Sequence, residues 1–332
     1  MKLDQTLFGA AFRNPVLLAA GTCGFGEEVW EVMDLRTLGG IVTKSVTLEP
    51  RAGNPAPRVA EFRAGMINSV GLANPGARAV RRDKLPWIRD HLRSIQVFVS
   101  VAGHTPAEYL EIVRILDDAD GFLGFELNLS CPNDTRRGSL PFALDPQALT
   151  QVVEGVRSLT SRPILVKLAP NAPDLSLPAR AAEEAGADGL TLVNTLPGLV
   201  LDPRTRRPAL GAGAGGVSGP ALRAVGVHAV WRVRQATGLP LLGVGGIASG
   251  EDAVQYLLAG ASLVQMGTAS FWDPRSAERV RNELEHFGRR EGVAHVSELV
   301  GGALLGSGGV AADPVPSSIP ATASTGPDVH DG

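Results

Sequence analysis

Cysteine is almost missing from this 332-residue chain, which has only Cys23 and Cys131. Two thiols cannot build a disulfide framework, a four-cysteine zinc site or an iron-sulfur site held by this chain alone, so any thiol role is solitary and no metal site is expected. Long apolar runs are missing too. None approaches the roughly 18 to 20 residues of a membrane span, and the opening Met1-Lys2-Leu3-Asp4-Gln5 lacks the basic-then-apolar build of a signal peptide. Together these absences predict a reduced, cytoplasmic setting with no membrane contact. Nor does one sign of charge dominate. The 31 Lys and Arg face 34 Asp and Glu, a formal net charge of -3, which gives no electrostatic reason to expect a nucleic-acid partner.

What the chain does have is 40 glycines and 24 prolines, too many for a helical bundle and without the period of collagen, so they mark many tight element junctions. Eight short apolar runs rich in β-branched residues read as buried parallel strands: Val16 to Ala20, Gly40 to Ser45, Gln96 to Val101, Gly124 to Leu129, Pro163 to Leu168, Gly189 to Asn194, Pro240 to Val244 and Ser262 to Met266. Helical spacing lies between them, as in Tyr109, Ile112, Val113, Leu116 and in Leu149, Val152, Val153, Val156. Thr105-Pro106-Ala107-Glu108 reads as an N-cap, a first-turn proline and a capping-box Glu, and Asp145-Pro146 repeats the first two features. A helix starting at Ser249 ends at Gly260. Length alone allows two domains, but eight strands alternating with helices predict one α/β fold, a (β/α)8 TIM barrel over residues 1–309.

The stretches Thr47 to Gln96 and Thr195 to Ser218 are insertions in this scheme, and the first is expected to carry small antiparallel strands over the carboxyl-end mouth. From about Val310 the chain turns to Ala, Pro, Ser, Thr and Gly, so residues 310–332 are expected to be a disordered tail.

In a barrel of this kind the chemistry sits at the carboxyl ends of the strands, with phosphate commonly held after strands seven and eight. Strand seven ends in Gly245-Gly246-Ile247 and strand eight in Gly267-Thr268, where glycine lets backbone N-H groups approach phosphate oxygens. Either pair alone would equally suit a plain tight turn; both at the expected places favour a phosphate-bearing ligand. Lys44 and Lys167 end two apolar runs, where a desolvated cation needs an anionic partner: a phosphate, a carboxylate or a reduced flavin ring. In Asn128-Leu129-Ser130-Cys131-Pro132-Asn133 a thiol stands between two amides at the rim, suited to a nucleophile or a general base, with a buried inert thiol as the alternative. No histidine pairs with it locally. Asn68, Asn128, Asn133 and Asn194 would recognise a flat imide or amide ring.

These residues resemble the class 1 dihydroorotate dehydrogenases over roughly residues 1–285. The likeness rests on Asn68-Ser69-Val70-Gly71-Leu72 with Asn74-Pro75-Gly76, on the Asn128 to Asn133 run, on Val166-Lys167-Leu168-Ala169-Pro170-Asn171, on Ala187-Asp188-Gly189 with Asn194-Thr195, on Gly215-Gly216-Val217-Ser218-Gly219-Pro220, and on the two glycine turns. The resemblance implies an FMN flavoprotein of pyrimidine biosynthesis that oxidises dihydroorotate to orotate. It puts phosphate on Gly219, Gly245, Gly246, Gly267 and Thr268. Ala20, Gly21, Lys44, Ser45, Ser100, Asn128, Lys167 and Val193 then line the rest of FMN, and Lys44, Asn68, Ser69, Val70, Gly71, Leu72, Asn128, Asn133, Asn194 and Thr195 surround the pyrimidine. Cys131 becomes the base at C5, and Asp134 to Pro141 a lid. The chain departs from the usual pattern at Ala20, where serine is common, at Ser100, where an asparagine often reaches the flavin, and at Asp134 to Arg137. Gly53-Asn54-Pro55-Ala56-Pro57-Arg58, Gly21 to Gly26 and Gly219-Pro220 resemble the NAD-linked 1B catalytic subunit more than the fumarate-linked 1A enzyme. That implies a homodimer of this chain and a partner subunit carrying FAD and [2Fe-2S]. Cys23 is read as a packed residue with no catalytic part. Rival readings are another FMN-barrel dihydropyrimidine reductase, a flavin-free phosphate-binding barrel, and a binding barrel without catalysis.

Overall fold

The computed structural model describes residues 1–130 and 141–305; Cys131, Asn133, nearly all of the expected lid and the 310–332 tail lie outside the described residues. The eight apolar runs form parallel strands β1 (Val16–Leu18), β2 (Gly40–Val42), β3 (Gln96–Val101), β4 (Gly124–Asn128), β5 (Ile164–Lys167), β6 (Gly189–Leu192), β7 (Leu241–Val244) and β8 (Leu263–Met266). Each pairs with the next in sequence, and β8 returns to β1 with Val264 opposite Val16, closing the barrel. The runs are continuously apolar because one face meets the barrel interior and the other the surrounding helices. Thus Val16 and Leu18 pack in the helix-side core while Leu17 joins Val42, Phe98, Leu165, Leu242 and Leu263 inside the barrel.

A short hairpin, Gln5–Leu7 with Ala10–Phe12, precedes β1 and went unanticipated because three-residue strands leave no readable period. It delivers the fully buried Phe12 to the interior cluster, and Phe8 meets Phe98 edge-on at 5.8 Å. Burying such a ring contributes about 1.5 to 3 kcal/mol.

Among the described residues, seven helices of seven or more residues surround the strands: α1 (Leu85–His91), α2 (Pro106–Leu116), α3 (Pro146–Arg157), α4 (Ser176–Glu184), α5 (Arg223–Arg234), α6 (Gly250–Ala259) and α7 (Ser276–Glu291). Between β1 and β2 only two 3-10 turns intervene. The expected starts hold: Thr105 accepts from the Glu108 N-H, and Asp145 accepts from the Gln147 and Ala148 N-H groups. The Glu108 carboxylate, however, accepts from the His104 N-H at 2.7 Å, one residue before the cap, not from the cap residue itself. Ser249 and Asp252 form a reciprocal capping box, and Gly260 ends α6 in the left-handed conformation at φ 116°.

Over the mouth lies a four-stranded antiparallel sheet in the order 196–198, 215–218, 65–68, 59–62. The small strands were expected from the first insertion alone; the second supplies two of the four, with Ile67 opposite Val217 and Asn68 opposite Gly216. Asn68 and Gly216 are 148 positions apart in sequence, so their pairing carries no local signal.

Candidate functional site

At the carboxyl ends of the strands a cleft opens under this sheet, with about 1120 Å³ of atom-free space, part of it open to solvent. The structure brings together on its walls Ala20 and Gly21 after β1, Lys44 and Ser45 after β2, Asn128 of β4, Lys167 of β5, and Val193, Asn194 and Thr195 after β6. Asn68, Val70, Gly71 and Leu72 of the first insertion, Gly219, and the Gly245-Gly246 and Gly267-Thr268 turns complete it. Among the described residues, two that were expected here do not line it. Ser69 is buried with its hydroxyl accepting from Asn54 Nδ2 at 2.7 Å, and Ser100 is fully buried with its hydroxyl 2.9 Å from that of Ser45. Ser100 thus touches the cleft only through Ser45.

The amides are linked. Asn194 Nδ2 lies 3.3 Å from Asn128 Oδ1 and donates to Ser130 Oγ at 3.0 Å, while Asn194 Oδ1 accepts from the Thr195 N-H at 2.8 Å. Asn128 Nδ2 donates to Ser45 Oγ at 3.2 Å, and the Asn128 carbonyl accepts from the Tyr109 hydroxyl at 2.9 Å. Asn68 Nδ2 donates across the mouth sheet to the Gly216 carbonyl at 3.2 Å. Amides held in fixed orientation make a site that reads donor and acceptor positions on a flat ligand. Ser130, on the same network, is the residue immediately before Cys131.

Below the amides the barrel holds a polar layer that the sequence reading missed as a unit. Glu126 is wholly buried, and its Oε2 accepts from Thr191 Oγ1 at 2.9 Å and Gln265 Nε2 at 3.1 Å. Its Oε1 faces Lys167 Nζ at 3.7 Å. The anionic partner that a buried Lys167 demands is therefore supplied first by the protein. The signal was present: Glu126 and Asn128 share one face of β4 by the two-residue period of a strand. Lys44 stands on the other side, its Nζ 4.0 Å from where a Cβ on Gly21 would lie. Cys23 is fully buried, its thiol directed at the Val42 carbonyl at 3.7 Å; burial, with the nearby Glu28 charge, pushes its pKa up to about 12.

Around the turns after β7 and before α5, three cleft glycines have left-handed backbones: Gly219 at φ 88°, Gly245 at 127° and Gly246 at 69°. A Cβ at Gly246 would come 2.8 Å from the Gly219 carbonyl oxygen, and one at Gly219 3.0 Å from Gly65 Cα. Only glycine allows main chain to pack this closely and still border the cleft. Thr268 Oγ1 donates to Ser218 Oγ at 2.8 Å, tying the last turn to the mouth sheet.

Residues 2–287 match the family described as dihydroorotate dehydrogenase. The chain is 49% identical over 300 residues to a putative dihydroorotate dehydrogenase A (fumarate) of Solibacter usitatus, covering 90% of this chain and 98% of that protein. It is 46% identical over 303 residues to the dihydroorotate dehydrogenase B (NAD(+)) catalytic subunit of Desulforudis audaxviator, covering 91% and 98%. The crystal structure of the Eimeria tenella enzyme in complex with ferulenol superposes with a TM-score of 0.77 at 25% identity, covering 91% of this chain and 88% of that one. The chain belongs to the dihydroorotate dehydrogenase family.

Proposed function

We propose that this chain oxidises dihydroorotate to orotate in pyrimidine synthesis, with FMN and substrate side by side in the cleft. The observation that carries this reading is the convergence of Asn68, Asn128 and Asn194 with Lys44 and Lys167 on one cavity beneath paired glycine turns.

The residues present suit FMN by their own chemistry. Gly219 and Gly246 leave little or no room for a side chain, Gly245 has a left-handed φ of 127°, and all three open their backbone to the cleft, as a phosphate cradle with Gly267 and Thr268 requires. Lys167 offers a cation for the electron-rich edge of the ring, and Ala20, Gly21, Ser45 and Val193 offer small walls beside it. When bound, FMN supplies the acceptor for the two electrons and the hydrogen that leave C6.

The chain's own groups do the rest. Asn68, Asn128, Asn133 and Asn194 hold the pyrimidine by its carbonyl and N-H edges, Lys44 neutralises the carboxylate, and Thr195 with the Val70 to Leu72 loop covers the ring. Cys131, directly after Ser130, takes the C5 proton as thiolate; loss of that proton and of the C6 hydride leaves the C5-C6 double bond of orotate. Electrons then pass to a partner subunit carrying FAD and [2Fe-2S], and so to NAD, with the barrel itself a cytoplasmic homodimer. Among the described residues no helix is long and apolar enough to cross a membrane. The relatives support the partner through the name "catalytic subunit", whereas the Solibacter relative named for fumarate supports direct reduction of that acceptor.

Cys131→Ala is expected to bind FMN normally but to lose dihydroorotate-driven flavin reduction near pH 7 by ~10²-fold or more; unchanged reduction kinetics remove Cys131 from the mechanism. Turnover of the isolated chain with fumarate as fast as with a dye acceptor would replace the NAD reading with the fumarate one.

A further inference from the structure

The turn after β7, Gly245-Gly246-Ile247-Ala248-Ser249, is anchored from behind by two side chains of α6. Tyr256 is fully buried, and its hydroxyl donates to the Gly245 carbonyl at 2.7 Å, with the Arg223 carbonyl a distant second at 3.5 Å. Its place is cleared by glycine: a Cβ on Gly226 or Gly243 would overlap Tyr256, and one on Gly245 would lie 3.3 Å from its hydroxyl. Asp252 holds the other end. Its Oδ2 accepts from the Ala248 and Ser249 N-H groups at 2.9 and 3.0 Å, and its Oδ1 meets the Arg223 guanidinium.

A trans peptide points the carbonyl of one residue and the N-H of the next to opposite sides. With the Gly245 carbonyl tied to Tyr256, the Gly246 N-H is turned away from α6. Gly246 borders the cleft while Tyr256 does not, and the Gly246 N-H meets no acceptor among the described residues. Two successive glycines are soft enough for that peptide to rotate if nothing holds it. We infer that Tyr256 is a positioning residue for anion binding: its hydroxyl, supported by Asp252, keeps the Gly246 N-H aimed at the ligand phosphate. This rests on the reading that FMN places its phosphate on this turn. Burial pushes the Tyr256 pKa further up from its ordinary value, so the hydroxyl remains a donor throughout the neutral range.

Riboflavin, which lacks only the phosphate, is the control. Both flavins are titrated into the flavin-free chain and followed by quenching of their fluorescence. The wild-type chain is expected to prefer FMN, and Tyr256→Phe to lower that preference about tenfold, with riboflavin affinity held within about twofold. An unchanged preference, or equal losses for both flavins, overturns the inference while leaving the FMN reading intact. A wild-type chain that binds neither flavin refutes the FMN reading and the inference with it; one that binds both equally removes phosphate from the turn and refutes the inference. If Tyr256→Phe does not fold, Asp252→Asn loosens the same turn at Ala248 and Ser249. The preference is expected to fall there too, and an unchanged one overturns the inference.

Discussion

The ion pair inside the barrel makes the sharpest claim on stability. Glu126 is wholly buried and Lys167 is 5% exposed, with 3.7 Å between Oε1 and Nζ. At that separation and an effective dielectric of about 20, the Coulomb term is about 4.5 kcal/mol. Glu126→Gln keeps a polar group of nearly the same size beside Thr191 and Gln265 but leaves the Lys167 cation uncompensated, which is expected to cost about 3 kcal/mol. Lys167→Met strands the carboxylate instead and is expected to cost a similar amount. The double variant has neither charge, so it should be no worse than either single one, giving a coupling of about 3 kcal/mol. Urea unfolding of the flavin-free chain by circular dichroism measures all three at pH 7, with midpoint shifts converted by a common slope. Additive costs, with a coupling below about 0.5 kcal/mol, would refute the pairing and mean that each side chain is held by its other neighbours.

The glycines of the cleft are expected to separate by backbone. Gly246→Ala meets the Gly219 carbonyl and a left-handed φ of 69°, and should lose about 1 to 3 kcal/mol of stability together with FMN. At Gly267 the nearest atoms to a new Cβ are 3.7 and 4.0 Å away, so Gly267→Ala should unfold within about 0.5 kcal/mol of wild type while still weakening FMN; equal stability losses in the two variants would contradict this. The two thiols should also diverge. Because the folded Cys23 pKa is raised from 9.0 to about 12, its protonated form stabilises the fold below pH 9 and that contribution is lost between pH 9 and 12. Wild-type urea midpoints should therefore fall more steeply over that window than those of Cys23→Ala, and superimposable curves would show that burial does not govern the thiol. With iodoacetamide at pH 8 the native chain should be labelled at Cys131 and not at Cys23 by peptide mass mapping.

Much of the architecture was legible because the barrel writes itself locally. Each strand is a short β-branched run, and the α2, α3 and α6 starts carry their caps at Thr105, Asp145 and Ser249. The cleft walls were legible for a related reason: glycine, lysine and asparagine at the end of an apolar strand are costly there unless they are used. Less legible was whatever depends on two segments meeting. The mouth sheet joins residues 65–68 to 215–218, and nothing in either stretch announces the other. Ser69 and Ser100 illustrate a second limit. Both stand in stretches expected to meet ligand, yet neither lines the cleft: Ser69 is buried against Asn54, and Ser100 sits one layer behind Ser45, since depth of burial decides access and a motif does not.

Lys167 shows why the same distinction matters for function. In the β4-β5 register Lys167 lies opposite Asn128, while Glu126 is one inward step back on β4, opposite Leu165. To reach Glu126 Oε1, the lysine must lean from the cleft edge down into the barrel, and at 3.7 Å it does so without a close hydrogen bond. Its ammonium is thus shared between a buried carboxylate below and the cleft above, which it also lines. A carboxylate held by Thr191 and Gln265 cannot follow it upward. Any ligand that draws Lys167 further into the cleft must therefore compete with the Glu126 attraction, and an anionic or electron-rich ligand edge is the chemistry able to do so. On the proposed reading the buried pair would therefore act as a filter, making the cation available only to a ligand that returns comparable charge.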